Sequence, residues 1–221
     1  ELHQLKDRLQ TICHTASMRT CFSCVSRTPE SYMTYLQNSY QDGFTEILTD
    51  LPDVYKEVRQ QQEMDPSFAQ IPLRLYEDKL LPLAALYNLN KQTEDALQKR
   101  VWLKSGGYLV IEPTEALTVV DVNTGKSVTK KDRQEHFLKI NLEAAKETAA
   151  QLRLRNISGI VIIDFINLEQ EEDRQTVMEY LRRYVREDSV PVQVVDMTRL
   201  NLVELTRKKV EKSLAEQLTE Q

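Results

Sequence analysis

The chain has 221 residues, 41% of them hydrophobic and 29% charged, with a formal net charge of −5. That is enough chain for one large domain or two small ones with an ordinary core, and it holds no apolar run of about eighteen residues that could cross a membrane. The acidic balance argues against a nucleic-acid binder judged on bulk charge, but not against an enzyme with a local basic groove around an acidic metal site.

The opening "ELHQLKDRLQ" is polar and amphipathic, unlike a signal peptide. It starts mid-helix without Met, as a fragment would. Leu2, Leu5, Leu9 and Ile12 recur at three- and four-residue steps and predict a helix over 1–18. All three cysteines, Cys13, Cys21 and Cys24, lie in this region. An odd count without a regular framework predicts reduced thiols in a cytoplasmic protein. With His14 they are zinc-ligand types, and "CFSC" has ligand-pair spacing, but the second hook is poor. The plainer expectation is small buried residues in or beside a helix.

"TPESYMTYLQNSY" predicts a second helix, with Thr28 as cap and Pro29 at its first position. "TEILTD" reads as a short strand, "LPDVYKEVRQQQ" as a helix, and "AQIPLRLYE" as a strand whose Pro72 suggests an edge. "LLPLAALYNL" and "KQTEDALQKR" read as helices joined around Asn88–Asn90.

From residue 101 the pattern sharpens. "VWLKSGGYLVIEPTEALTVVDVNTG" predicts strands broken by turns at Ser105-Gly106-Gly107 and Glu112-Pro113-Thr114. "RQEHFLKINLEAAKETAAQLRLRN" predicts a long helix that buries Phe137, Ile140, Ala144, Ala145 and Leu152. "GIVIIDF" is an unbroken apolar run that fits a strand covered on both faces. A helix over "EEDRQTVMEYLRRYVRED" and a strand over "VPVQVVDM" follow, and "NLVELTRKKVEKSLAEQL" reads as a closing helix. The expected class is α/β, a mixed sheet with flanking helices.

Two carboxylates end strands in this reading, Asp121 in "VVDVNTGK" and Asp164 in "GIVIIDF". Ligands of open α/β sheets sit beyond the carboxyl ends of strands. On neighbouring strands the two groups would reach one ion, and two carboxylates plus waters suit Mg²⁺. Such an ion serves phosphodiester hydrolysis. Asn123 follows Asp121 by two residues and points to the same side. The competing reading is an Asx turn in "DVNTG". Glu115 is a candidate supporting partner or merely a turn residue, and Asp196 is a third strand-end carboxylate better suited to a turn. Lys126, Lys130 and Arg133 are candidate contacts to backbone phosphates, against a solvated face. The cluster Arg207, Lys208, Lys209 reads as another such face. "NTGK" fails as a phosphate-binding loop, because Val120 stands where the first glycine is needed. Three histidines and no Gly-x-Ser-x-Gly elbow leave little for a triad.

"RVWLKSGGYLVIEPTEALTVVDVNTGK", "NLEAAKETAAQLRLRNISGIVIIDFINL" and "LNLVELTRKKV" together resemble the core of the ribonuclease E/G family, densely from about 100 to 210. The resemblance implies an endoribonuclease that cuts single-stranded RNA, leaving 5′-phosphate and 3′-hydroxyl ends. It implies Mg²⁺ on Asp121 and Asp164, with Asn123 assisting. It implies a DNase I-like catalytic domain over 100–221, part of an RNase H-like subdomain over 35–99, and over 1–34 the helical tail of the region that senses RNA 5′ ends. The family's RNA-binding barrel and its zinc-linking cysteines are missing from this stretch, so a homo-oligomer stays open. Val190 and Pro191 stand where many relatives have a basic residue. The rival reading is an RNA-binding or scaffold fragment inactive on its own. A metal-dependent phosphatase would need a Gly-rich cradle, which is absent.

Overall fold

The computed structural model describes residues 2–24, 31–39, 45–65, 68–125, 133–198 and 200–219. They fall into two compact units, Glu1–Leu83 and Ala84–Gln221.

The first unit contains helices α1 (Leu2–Met18), α2 (Ser31–Ser39) and α3 (Pro52–Met64) and strands β1 (Ile47–Thr49) and β2 (Leu73–Leu75). Pro52 starts α3 at a position where a missing N–H costs nothing. The two strands pair in parallel, Ile47 beside Leu73. Met33, Ile47, Val58, Phe68 and Ile71 form a small core. Gln62 on α3 closes it by donating to the carbonyls of Phe68 (3.2 Å) and Ile71 (2.7 Å). Cys13, Cys21 and Cys24 are exposed rather than buried and form no disulfide, which corrects the expectation. Among the described residues no three His, Cys, Asp or Glu side chains gather around a point that could hold a metal ion, so the cysteines and His14 form no zinc site there. The predicted cap Thr28 and Pro29 lie outside the described residues.

The second unit begins with α4 (Leu83–Leu86) and α5 (Leu89–Leu97), so both predicted helices form, the first much shortened. Asn88 between them takes a left-handed backbone (φ 52°). Then come β3 (Arg100–Trp102), β4 (Tyr108–Pro113), β5 (Leu117–Asn123), α6 (Arg133–Leu154), β6 (Gly159–Asp164), α7 (Glu171–Val185), β7 (Val192–Met197), β8 (Leu202–Arg207) and α8 (Leu214–Thr219). The six strands form one mixed sheet in the order β3-β4-β5-β6-β8-β7. β5 and β6 run parallel across the α6 crossover, and the other neighbours are antiparallel.

α6 and α7 cover one face of this sheet. Alternate strand residues point at them: Leu109, Ile111, Val120, Val122, Val161, Ile163, Val203 and Leu205. Ala144, Ala145 and Ala149 let α6 approach closely while Ile140 and Leu152 fill the space between. The other face stays open. Ile160 on β6 is 49% exposed, so the apolar run of β6 is not covered on both faces as expected. The apolar run alone cannot distinguish a strand buried twice from one with an apolar open side.

The closing helix is also corrected. Residues 202–207 are strand β8, inserted between β6 and β7, and only Leu214–Thr219 is helical. Val203, Leu205 and Arg207 point inward at a two-residue period, and Asn201 (φ 62°) turns the chain back from β7. Arg207 is therefore no part of a solvated basic face. It is 4% exposed and bonds Asp188 at 2.8 Å, Asn156 at 2.7 Å and the Ile157 carbonyl at 3.2 Å. No helix among the described residues is long and apolar enough to cross a membrane.

Candidate metal centre

β5 alternates strictly: Thr118, Val120 and Val122 face the helices, while Val119, Asp121 and Asn123 face the open side. Asp121 is the register partner of Asp164, the last residue of β6. Neighbouring strands lie about 4.8 Å apart, and in-register residues share a face. Both carboxylates therefore stand side by side on the open face, at the carboxyl ends of two parallel strands. Asn123 donates from Nδ2 to Asp121 Oδ2 at 2.8 Å, fixing that carboxylate. Partial loss of solvent, and then the charge of Asp121, push the Asp164 carboxyl above its ordinary range.

The segment after Asp164 is held in several places. Phe165 and Leu168 are buried anchors. Asn141, wholly buried on α6, donates to the Ile166 carbonyl (2.7 Å) and accepts from its N–H (3.0 Å). Gln134 donates to the Glu169 carboxylate at 3.3 Å and accepts the Glu169 N–H at 3.2 Å. Arg174 donates to the Leu168 carbonyl at 2.7 Å, and Asn201 donates to Asn167 at 2.9 Å. Sequence reasoning missed these four positioning residues. One signal was present: Asn141 shares a four-residue stripe with Ala145 and Ala149, and a polar residue on a buried stripe needs partners.

The exit of β5 is fixed by glycines. Gly106 has φ +91°, a conformation that glycine adopts without cost. A Cβ on Gly107 would come within 2.8 Å of the Asn123 carbonyl oxygen and 2.9 Å of Ile140 Cγ2, and one on Gly125 within 1.9 Å of the Gly106 carbonyl oxygen. The Ser-Gly-Gly turn between β3 and β4 thus lies directly against the end of β5. Glu143 on α6 ties the same turn down by accepting the N–H groups of Lys104 (2.5 Å) and Ser105 (2.9 Å). Burial opposes ionisation of Glu143, but the bonds from Ser105 and Lys104 and the Lys104 charge outweigh it and hold the carboxyl below its ordinary range.

The remaining candidates separate from this pair. Glu115 is exposed in the β4–β5 turn at the opposite end of β5. Six residues of strand put it roughly 15–20 Å from Asp121, which corrects its reading as a supporting partner. Asp196 lies on β7, two strands from β6, and accepts the N–H of Met197 at 2.8 Å. Arg133 opens α6 with its guanidinium 5.1 Å from the centre of the Phe137 ring. Lys126 and Lys130 lie outside the described residues. Two oxygen ligands beside open space match the chemistry of a hard divalent cation that keeps most of its waters.

The model of the ribonuclease E/G family matches residues 1–210. The chain is 35% identical to ribonuclease E of Synechocystis over 98% of its own length and 32% of that protein's. It is 44% identical to ribonuclease G of Haemophilus influenzae over 60% of its length and 27% of the relative's. A chloroplastic ribonuclease E/G-like protein of Arabidopsis thaliana is 36% identical over 85% of this chain and 19% of its own length. The chain thus spans a third or less of the length of these curated relatives. The resemblance carried by the "DVN" and "IDF" strands extends to nearly the whole sequence, and the chain belongs to the ribonuclease E/G family.

Proposed function

We propose that this chain is the metal-bearing part of an endoribonuclease that hydrolyses single-stranded RNA to 5′-phosphate and 3′-hydroxyl ends. The observation that carries the reading is the in-register pair Asp121–Asp164 on the open sheet face, with Asn123 bonded to Asp121. Asp121 and Asp164 would hold Mg²⁺; burial first and then the charge of Asp121 raise the Asp164 carboxyl, and a bound cation would relieve that crowding of charge. Mg²⁺ bound there supplies charge stabilisation at the scissile phosphate and a more acidic water. Asn123 keeps Asp121 oriented, and its amide is placed to bond a phosphate oxygen or a water. The bonds from Asn141, Gln134, Arg174 and Asn201 hold the segment that follows Asp164, so the ligand geometry is set before RNA arrives. Lys126, Lys130 and Arg133 are proposed contacts to the RNA backbone.

On the same reading, 100–221 is the DNase I-like catalytic domain, 35–99 belongs to an RNase H-like subdomain, and 1–34 is the tail of the 5′-end sensor. The names of the relatives support an RNA substrate, and we place the protein in the cytoplasm on the same family reading.

The test is cleavage of an unstructured RNA in Mg²⁺ by the protein and by its Asp121→Asn and Asp164→Asn variants. Each variant is expected to lose a factor of about a hundred or more, on the order of 3 kcal/mol in barrier. Near-normal cleavage by either variant refutes the assignment. RNA binding without turnover by the unaltered chain supports the scaffold role instead.

A further inference from the structure

Three side chains on β3 and β4, exposed Arg100 and Trp102 and half-buried Tyr108, share the face that carries the aspartates. Trp102 is the register partner of Tyr108, and Tyr108 of Asn123, so the three lie in one row across the sheet. The next row is Arg100, Val110, Asp121 and Asp164. Burial confirms the facing: Leu109 and Ile111 point at the helices and are buried, while Tyr108 and Val110 are not. Trp102 is 65% exposed, a large apolar surface for an isolated indole on a strand.

The cluster is ordered by its own contacts. The Trp102 and Tyr108 rings are tilted at 57° with centroids 5.2 Å apart. The Arg100 guanidinium lies 4.5 Å from the centre of the Tyr108 ring and 5.6 Å from that of Trp102. The hairpin beneath is pinned by Glu143 and by the contact of Gly106 with Gly125. The Trp102 ring itself reaches the β5 exit, 3.9 Å from the position a Gly125 Cβ would take. Two strand spacings, about 10 Å, separate the Trp102 row position from Asn123.

From this arrangement we infer that Arg100, Trp102 and Tyr108 form a stacking platform for a base of single-stranded RNA next to the phosphate that is cut. The inference rests on the endoribonuclease reading above. An exposed indole beside a guanidinium is the chemistry that holds an unpaired base: every base has a π-face, and the cation takes the adjoining phosphate. Duplex RNA hides its base faces, so a platform of this kind selects single strands. Its rigid link to the β5 exit sets the distance from the stacked base to the carboxylates.

Trp102 is the single tryptophan of the chain, so its fluorescence reports on the platform directly. The experiment titrates the Asp164→Asn form, which should not consume substrate, with a short fluorescein-labelled single-stranded RNA in Mg²⁺, reading tryptophan emission and fluorescein anisotropy together. Expected are saturable quenching of Trp102, much less quenching by an oligonucleotide of the same length with abasic sites, and about tenfold or greater weakening of binding by Trp102→Ala. Trp102→Phe should recover most of that loss, which a charge effect would not produce, while the abasic control separates stacking on a base from a merely structural role of the ring. RNA that binds without changing Trp102 emission, no RNA binding at all, or unchanged affinity in Trp102→Ala overturns the platform. If Trp102→Ala does not fold, the quenching and the Phe variant still decide. Cleavage by the unaltered protein is scored separately. Cleavage without quenching removes only the platform, and quenching without cleavage removes the nuclease reading and leaves a binding surface.

Discussion

Asp121 and Asp164 are register partners across the parallel β5–β6 pair, which brings both carboxylates to the same end and the same face of the sheet. An antiparallel pairing would send the ends of two such strands to opposite edges. The crossover helix α6 is thus what makes a two-aspartate centre possible. The same helix supplies Asn141 to hold the segment beyond Asp164 and Glu143 to hold the turn beside Asp121's strand.

Like charge at that pair should cost stability when no cation is bound. The Asp164 carboxyl is raised in the folded state, so the cost is absent below the unfolded carboxylate range, near pH 4, and grows as pH rises through the folded value. Asp164→Asn is therefore expected to unfold on the order of 1–3 °C higher than the unaltered protein at pH 7 in EDTA, while cleavage collapses. Adding Mg²⁺ should raise the melting temperature of the unaltered protein and leave Asp164→Asn nearly unmoved. A lower melting temperature for Asp164→Asn in EDTA would contradict the repulsion.

Asn141 makes two bonds to one backbone unit from a fully buried position. Asn141→Ala strands the Ile166 N–H and carbonyl away from water and should cost about 2–4 kcal/mol in urea unfolding. Cleavage should fall further than the loss of folded protein explains, because Asp164 loses the support of its downstream segment. Asn141→Asp keeps the acceptor but sets a buried carboxylate against the Ile166 carbonyl, and should cost at least as much as Asn141→Ala.

The Arg207–Asp188 pair is buried on both sides, with side chains 4% and 3% exposed. Arg207→Ala leaves an unpaired buried carboxylate and should cost about 3–5 kcal/mol. Replacing both residues by apolar ones of similar volume, Arg207→Met with Asp188→Leu, should recover most of that loss. Neither change touches the carboxylate centre, so activity per folded molecule should be retained, as active-site titration against circular dichroism would show.

Glu143 gives the turn between β3 and β4 a dependence on acid. Its carboxyl is held below its ordinary range, so its contribution is present above the unfolded value, near pH 4.3, and is lost as pH falls through the lower folded value. Amide exchange at Lys104 and Ser105 should be protected at pH 6 relative to Glu143→Gln, and the difference should vanish once the pH has fallen below the depressed folded value of the Glu143 carboxyl. A difference that persists there would remove the carboxylate as the clamp.

The parts of this fold legible in the sequence are those with one periodicity and clear boundaries. α6 and α7 have unambiguous helical faces, and β4 and β5 alternate between turn residues. Asp121 and Asp164 stand out as candidates in the sequence because each lies at or near the end of an apolar strand and because the motifs around them match the family. β8 was not. Leu202, Val203 and Leu205 fit a helix face as well as a strand, and only the vacancy between β6 and β7 decides for the strand. Arg207 reads as a surface charge until that strand turns it inward to Asp188. The row of Arg100, Trp102 and Tyr108 was likewise invisible, because it exists only through pairing across three strands.

The strand order has a consequence for synthesis. β6 is made long before β8, yet β8 is its neighbour on one side, and β7 joins the sheet only through β8. Until residues 202–207 leave the ribosome, the strand that ends in Asp164 is an unpaired edge. The nascent chain thus carries both aspartates before it has the sheet that fixes them, and the carboxylate pair is set in place only when residues 202–207 have emerged.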